Sequence, residues 1–238
     1  MSDHLRPAMR AVLWDMDGTV VDSEKLWDVS LHELYARLGG VLTPEVRAST
    51  VGGSAENVMA AVYADLRLDP EPAAMAESAD WLHARTGELF EAGLPWRPGA
   101  RELLDSLLAE GVPMALVTNT RRGLTDQALK SIGKHYFSAS VCGDEVEHTK
   151  PAPDPYWRAA ELLGFEPAQC LAIEDSVTGT LSAESAGCPV LVVPNDIDVP
   201  DSPRRRHVNS LVDLTPWDLR AIHAKLTAQL DDGVLPRG

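Results

Sequence analysis

The sequence predicts an α/β protein: a doubly wound parallel sheet with an α-helical insert after its first strand. Three observations carry this reading. Short apolar runs recur along the chain, continuous rather than alternating, as in strands buried on both faces. Helical patterns closed by glycine separate several of them. One long stretch, from Asp22 to about Pro95, has helical periodicity and no convincing strand. A chain of 238 residues, 45 % hydrophobic and 24 % charged, is globular in composition and long enough to bury a core.

The first strand is Ala11-Val12-Leu13-Trp14, running into Asp15-Met16-Asp17-Gly18. The insert opens with Asp22/Ser23 as a cap candidate, then Trp27, Leu31, Leu34 and Leu38 at spacings of four, three and four, and Gly39-Gly40 to stop. Two further helices are expected over Ser54–Leu66 and Ala73–Phe90, separated by Pro70 and Pro72. Pro95 and Pro98-Gly99 mark the return to the sheet. Leu103, Leu104, Leu107 and Leu108 then form a helix closed by Gly111, before the strand Val112–Val117. Ser140–Cys142, Cys170–Ile173 and Pro189–Val193 are the remaining strands. Helices over Tyr156–Leu163 and Val177–Ala186 end at Gly164 and Gly187. The segment after Pro200, with Arg204-Arg205-Arg206-His207, reads as a solvated loop.

Charge and cysteines narrow the function. The 21 Lys+Arg against 36 Asp+Glu give a net charge of −15, which argues against nucleic acid as a partner. No apolar run approaches the roughly 18 residues of a membrane span. Met1–Arg10 lacks the apolar core of a signal peptide. Cys142, Cys170 and Cys188 match no zinc spacing and read as small buried apolar residues in a reducing compartment. The expected location is cytoplasmic.

In open α/β sheets ligands bind beyond the carboxyl ends of the strands, and polar groups follow four of the apolar runs. Asp15 and Asp17 lie two apart, so a continued strand would point both side chains to one side. One Asp is suited to nucleophilic attack, a second to proton transfer. Gly18 permits close backbone approach. A calcium loop starting at Asp15 is excluded, because Val20 and Leu26 stand where it needs Gly and Glu; a purely structural turn stays open. Thr118 and Asn119 offer a hydroxyl and an amide to phosphate oxygens, although such residues also cap helices. Lys150 precedes Pro151, which restricts the loop it projects from. Glu174-Asp175 next to the Asp15 group would repel it unless a cation sat between them, and all-oxygen donors suit Mg²⁺.

Together, Trp14-Asp15-Met16-Asp17-Gly18-Thr19-Val20, Val117-Thr118-Asn119-Thr120, Lys150-Pro151-Ala152-Pro153-Asp154 and Ile173-Glu174-Asp175-Ser176 resemble the four ordered motifs of the haloacid dehalogenase phosphohydrolase superfamily. The resemblance runs from about Met9 to Val193 and is similar within it to the β-phosphoglucomutase-like and sugar-phosphate phosphatase group. It implies a Rossmannoid core over residues 9–21 and 97–230, with residues 22–96 as a small helical cap. It implies a Mg²⁺-dependent phosphatase that hydrolyses a small phosphomonoester, a sugar or polyol phosphate, through an aspartyl phosphate. By the same resemblance Asp15 is nucleophile and Mg²⁺ ligand, and Asp17 is general acid/base and a ligand through its carbonyl. Thr118 and Asn119 hold the phosphoryl group, and Lys150 neutralises its charge. Asp175 binds Mg²⁺, with Glu174 directly or through water. Cap motion about linkers near Thr19–Ser23 and Leu94–Pro98 is expected, and an active monomer is compatible with the cap.

Three other readings differ in sequence. A carbon–halogen hydrolase of this fold has no need of Asp17 and Asp175. A non-catalytic interaction protein has no need of all four motifs. A phosphomutase is the serious alternative, but mutases of this group carry a His in the linker where Trp27 stands here. The cap loop Val51-Gly52-Gly53-Ser54-Ala55-Glu56 also lacks the basic residue that relatives often show, which argues against a bisphosphorylated intermediate. His148-Thr149 precedes Lys150 where Gly-Lys is usual.

Overall fold

A computed structural model of the chain describes residues 8–193, 195 and 198–232. Residues 1–7, Pro194, Asp196, Ile197 and residues 233–238 lie outside the described residues. Six parallel strands form one sheet in the order β3-β2-β1-β4-β5-β6. They are β1 (Ala11–Trp14), β2 (Met114–Val117), β3 (Ala139–Val141), β4 (Cys170–Glu174), β5 (Val190–Val192) and β6 (Arg205–His207). The chain builds outward from β1 to β3, then returns to the other side of β1 for β4. The order therefore reverses around β1, and this switch point is where an open α/β sheet leaves a cleft.

The continuous apolar strands have the predicted cause. Val12 and Trp14 pack into the core on one face of the sheet, while Ala11 and Leu13 pack into the core on the other. The first face is covered by α5 (Ala100–Ala109), α6 (Arg122–Ile132) and α9 (Pro216–Asp232), through residues such as Leu103, Leu107, Leu129 and Leu219. The second is covered by α7 (Asp154–Leu163) and α8 (Val177–Ala186), through Tyr156, Ala159 and Ala183. Cys142, Cys170 and Cys188 are buried free thiols.

Between β1 and β2 the chain forms α1 (Glu24–Arg37), α2 (Pro44–Thr50), α3 (Ala55–Leu66) and α4 (Pro72–Glu91). These helices enclose their own apolar cluster, built from Leu31, Leu34, Tyr35, Met59, Val62 and Leu82. Ser54 caps α3 by accepting a hydrogen bond from the Asn57 amide at 3.3 Å. Trp27 and Phe90 join this insert to the core cluster beneath it.

Two expectations need correction. The segment after Pro200 is not simply a solvated loop: Arg205–His207 pair with β5 as an edge strand. Arg205 is buried against Glu184 of α8, Nε to Oε1 at 2.8 Å and a second nitrogen to Oε2 at 3.0 Å. The helices α2, α6 and α9 add to those expected from periodicity.

Candidate active site

β1 ends at Trp14, and the Asp15 amide donates to the Ile173 carbonyl of β4 at 3.0 Å. This bond joins the two motif-bearing strand ends at the switch point. Asp15, Glu174 and Asp175 are buried there, each with a carboxylate oxygen within 4.8 Å of the others. The strand does not continue through Asp17, so the two aspartates are not successive residues of one sheet face. The turn at Gly18 instead returns the chain, with φ +87°. A side chain at Gly18 would overlap the Asp175 carboxylate, so this position requires glycine twice over. At Gly179, within α8, a Cβ would overlap the Glu174 carboxylate.

Lys150 is the one buried cation at the centre among the described residues. Its Nζ donates to Asp15 Oδ1 at 2.7 Å, to Glu174 Oε1 at 2.6 Å and to the Val117 carbonyl at 2.9 Å. The bond between Lys150 and Pro151 is cis. Tyr156 of α7 lies beneath: its hydroxyl donates to Glu174 Oε1 at 2.6 Å, and Lys150 sits over its ring at 5.1 Å. Glu174 Oε2 accepts from the Ser176 hydroxyl at 3.2 Å and the Asp175 amide at 3.3 Å. Both Glu174 oxygens are thus engaged by protein donors.

The electrostatics follow from burying three acids beside one lysine. Burial, then the Glu174 charge, pushes Asp15 up to about 8, against the pull of Lys150. Burial and the charges of Asp15 and Glu174 raise Asp175 well above the carboxylate range. Burial alone would lower Lys150, but Asp15 and Glu174 hold its ammonium above its ordinary value.

Asp17 faces the same cavity in a cage of neutral donors. Its Oδ1 accepts from the Ser23 hydroxyl at 2.6 Å and the Trp27 indole at 3.1 Å. Its Oδ2 accepts from Thr120 at 2.8 Å and Thr118 at 3.1 Å. Ser23 occupies the N-cap position of α1 but makes no capping bond, because its hydroxyl is turned to Asp17. The Asn119 side chain is a clasp between loops. It donates to the Gly52 carbonyl at 2.9 Å and the Lys150 carbonyl at 3.2 Å, and accepts from the Lys150 amide at 2.9 Å. Asn119 therefore lines the cavity with its side-chain amide already committed.

Asp15, Asp17, Asp175, Lys150, Thr118 and Asn119 thus come together on one cavity of about 70 Å³, between the strand ends and the insert, while Glu174 is fully buried behind Lys150 and does not line it. His148 does not join them; it lies at the surface against Asp154. Ser23, Trp27, Thr120 and Tyr156 were not assigned site roles from sequence. Only Thr120 lay inside a motif run. The others touch the site across elements, which linear spacing does not display.

The acid cluster fits a hard dication. Its donors are oxygens, and Asp15 Oδ2 is buried with no hydrogen-bond partner among the described residues. Lys150 alone does not balance three carboxylates.

Fold and site define an α/β protein with an acid-lined cleft at the switch point of its sheet. The family model for haloacid dehalogenase-like hydrolases matches residues 12–193, and the chain belongs to that family. It is 32 % identical over 198 residues to protein CbbY of Rhodobacter capsulatus, covering 79 % of this chain and 86 % of that one. It is 32 % identical over 195 residues to hexitol phosphatase A of Escherichia coli K12, covering 80 % and 86 %. A crystal structure of β-phosphoglucomutase from Clostridium difficile superposes with a TM-score of 0.84, covering 92 % of this chain and 99 % of that one. At 17 % identity this likeness shows a shared fold.

Proposed function

We propose that this haloacid dehalogenase-like phosphomonoester hydrolase takes a small sugar or polyol phosphate and hydrolyses it through an aspartyl phosphate, with Mg²⁺ as cofactor. The observation that carries the reading is Asp15. One of its oxygens is fixed by Lys150 at 2.7 Å, while the other is buried at the switch point without a hydrogen-bond partner among the described residues. The fixed carboxylate attacks phosphorus in line, and the bond to the leaving oxygen breaks. Asp17 gives its proton to that oxygen, then takes one from the water that hydrolyses the acyl phosphate. Lys150 offsets the negative charge gathering beside Asp15 and Glu174. Thr118 presents its hydroxyl to the phosphoryl group, and Asn119 holds the loops that frame it. Asp15, Asp175 and the Asp17 carbonyl would hold Mg²⁺, and Glu174 supports them through Lys150 or through water. When bound, the ion supplies positive charge to the phosphoryl oxygens.

Residues 22–96 act in this reading as a cap on a core of residues 9–21 and 97–230. Closure would exclude water from the acyl phosphate. The site residues all come from one chain, so a monomer suffices. Relatives of this kind include hexitol phosphatase A by name, and a polyol phosphate suits a cap loop around Gly52-Gly53 that has no basic residue.

The test is phosphate release from p-nitrophenyl phosphate and a panel of sugar and polyol phosphates, with Mg²⁺. Release from at least one member supports the reading, and none from folded protein sinks it. Asp15→Asn should abolish turnover with folding intact. A mutase would instead interconvert β-glucose 1- and 6-phosphates with a bisphosphate primer and no net release.

A further inference from the structure

The far side of the cavity is formed by the insert, and its polar groups there are few. Arg47 of α2 lines it, but its guanidinium is already committed. It donates to Glu24 Oε2 at 2.6 Å, the Glu24 carbonyl at 3.1 Å, Asp28 Oδ1 at 3.1 Å and Thr50 at 3.4 Å. Leu31, Val58 and Leu82 supply apolar wall.

His83 of α4 is different. It lines the cavity, and its Nδ1 lies 2.7 Å from the Ala79 carbonyl of its own helix. That bond requires the proton on Nδ1, which leaves Nε2 as a lone-pair acceptor. Nε2 has no hydrogen-bond partner among the described residues. Burial lowers the affinity of the ring for a second proton, so it is neutral at pH 7. The charges that act on it are Arg121, Asp80 and Asp144, and Arg121 is paired with Asp80 at 2.9 Å. Trp27 packs edge-on against the ring at 5.7 Å and fixes its plane.

We propose that His83 is a specificity-determining residue whose Nε2 accepts a hydrogen bond from a hydroxyl of the leaving group. This rests on the phosphatase reading of the same site. The cap wall then selects an uncharged, hydroxyl-bearing chain and disfavours a second phosphate, which would meet an acceptor and an already paired arginine.

The experiment compares wild type, His83→Leu and His83→Gln with Mg²⁺, on sorbitol 6-phosphate, fructose 6-phosphate, fructose 1,6-bisphosphate and p-nitrophenyl phosphate. Leu removes the acceptor, and Gln restores one. A substrate hydroxyl left unpaired in a buried site costs enough to lower kcat/KM roughly tenfold or more. For His83→Leu, the loss on the better hydroxylated monophosphate should exceed the loss on p-nitrophenyl phosphate by that factor, mainly through KM. His83→Gln should recover part of it, and wild type should prefer either monophosphate to the bisphosphate. Equal losses on both kinds of substrate would show that the ring acts by packing on Trp27 and would overturn the proposal. So would no loss, equal use of the bisphosphate, or wild-type activity on p-nitrophenyl phosphate alone. Wild type inactive on all four removes the phosphatase reading itself, a result distinct from the others.

Discussion

Asp17 illustrates how much one residue depends on its neighbours. Its four partners come from three places: Ser23 at the start of the insert, Trp27 one turn into α1, and Thr118 and Thr120 beyond β2. The insert therefore does not merely lie over the site; it grips the proposed acid/base. Trp27→Phe keeps an aromatic ring against His83 and Phe90 while deleting the indole donor. A hydrogen bond is typically worth about 0.5–1.5 kcal/mol, and about 1.4 kcal/mol is tenfold in rate. We expect kcat to fall roughly tenfold, with the melting temperature near that of wild type. An unchanged kcat in steady-state assays would remove Trp27 from the positioning of Asp17.

At the scale of elements, β6 pairs with β5 and is tied to α8 by a buried ion pair. Its Arg205 guanidinium meets the Glu184 carboxylate through two bonds, and Ser202 adds a third at 2.6 Å. Removing one partner of a buried ion pair leaves an uncompensated charge and costs about 3–5 kcal/mol. Glu184→Ala should lose stability of that order in urea denaturation while kcat holds, because neither residue touches the cavity. A loss below about 1 kcal/mol would show that the pair is in effect solvated. The same strand shows why some elements were unreadable. β1, β2, β4 and β5 announce themselves because every residue is buried on one face or the other. Arg205-Arg206-His207 carries no apolar signal; it is a strand through its pairing with β5, and a glutamate 21 positions earlier holds its arginine. The site divides in the same way. Asp15, Lys150, Glu174 and Asp175 stand beside apolar runs or prolines and were legible. Ser23, Trp27 and Tyr156 act through tertiary contacts; along the chain they stand as a cap, a helix face at the place of the mutase histidine, and a helix start.

For the whole molecule, the buried acids link stability to pH and to metal. Asp15 rises from 3.8 to about 8 on folding, and Asp175 rises well above its ordinary value, first through burial and then through neighbouring carboxylates. Between about pH 4 and pH 8 the folded, metal-free chain thus holds protons that the unfolded chain has released. Stability present below that window is lost as pH climbs through it. A dication acts in the opposite sense: it binds the deprotonated carboxylates of the folded chain and gains affinity as their protons leave. At 100 times its dissociation constant a ligand adds about 2.7 kcal/mol. For a chain of this size each kcal/mol moves the melting temperature by about 2–4 °C. In EDTA the melting temperature should therefore fall from pH 5.5 to pH 8.5 more steeply for wild type than for Asp15→Asn. That comparison cancels the self-repulsion of a molecule carrying a net charge of −15. Millimolar Mg²⁺ should raise the melting temperature of wild type by several degrees at pH 8.5, clearly less at pH 5.5, and little at either pH in Asp15→Asn. A Mg²⁺ effect independent of pH, or equal in the variant, would place the ion elsewhere than on the Asp15 cluster.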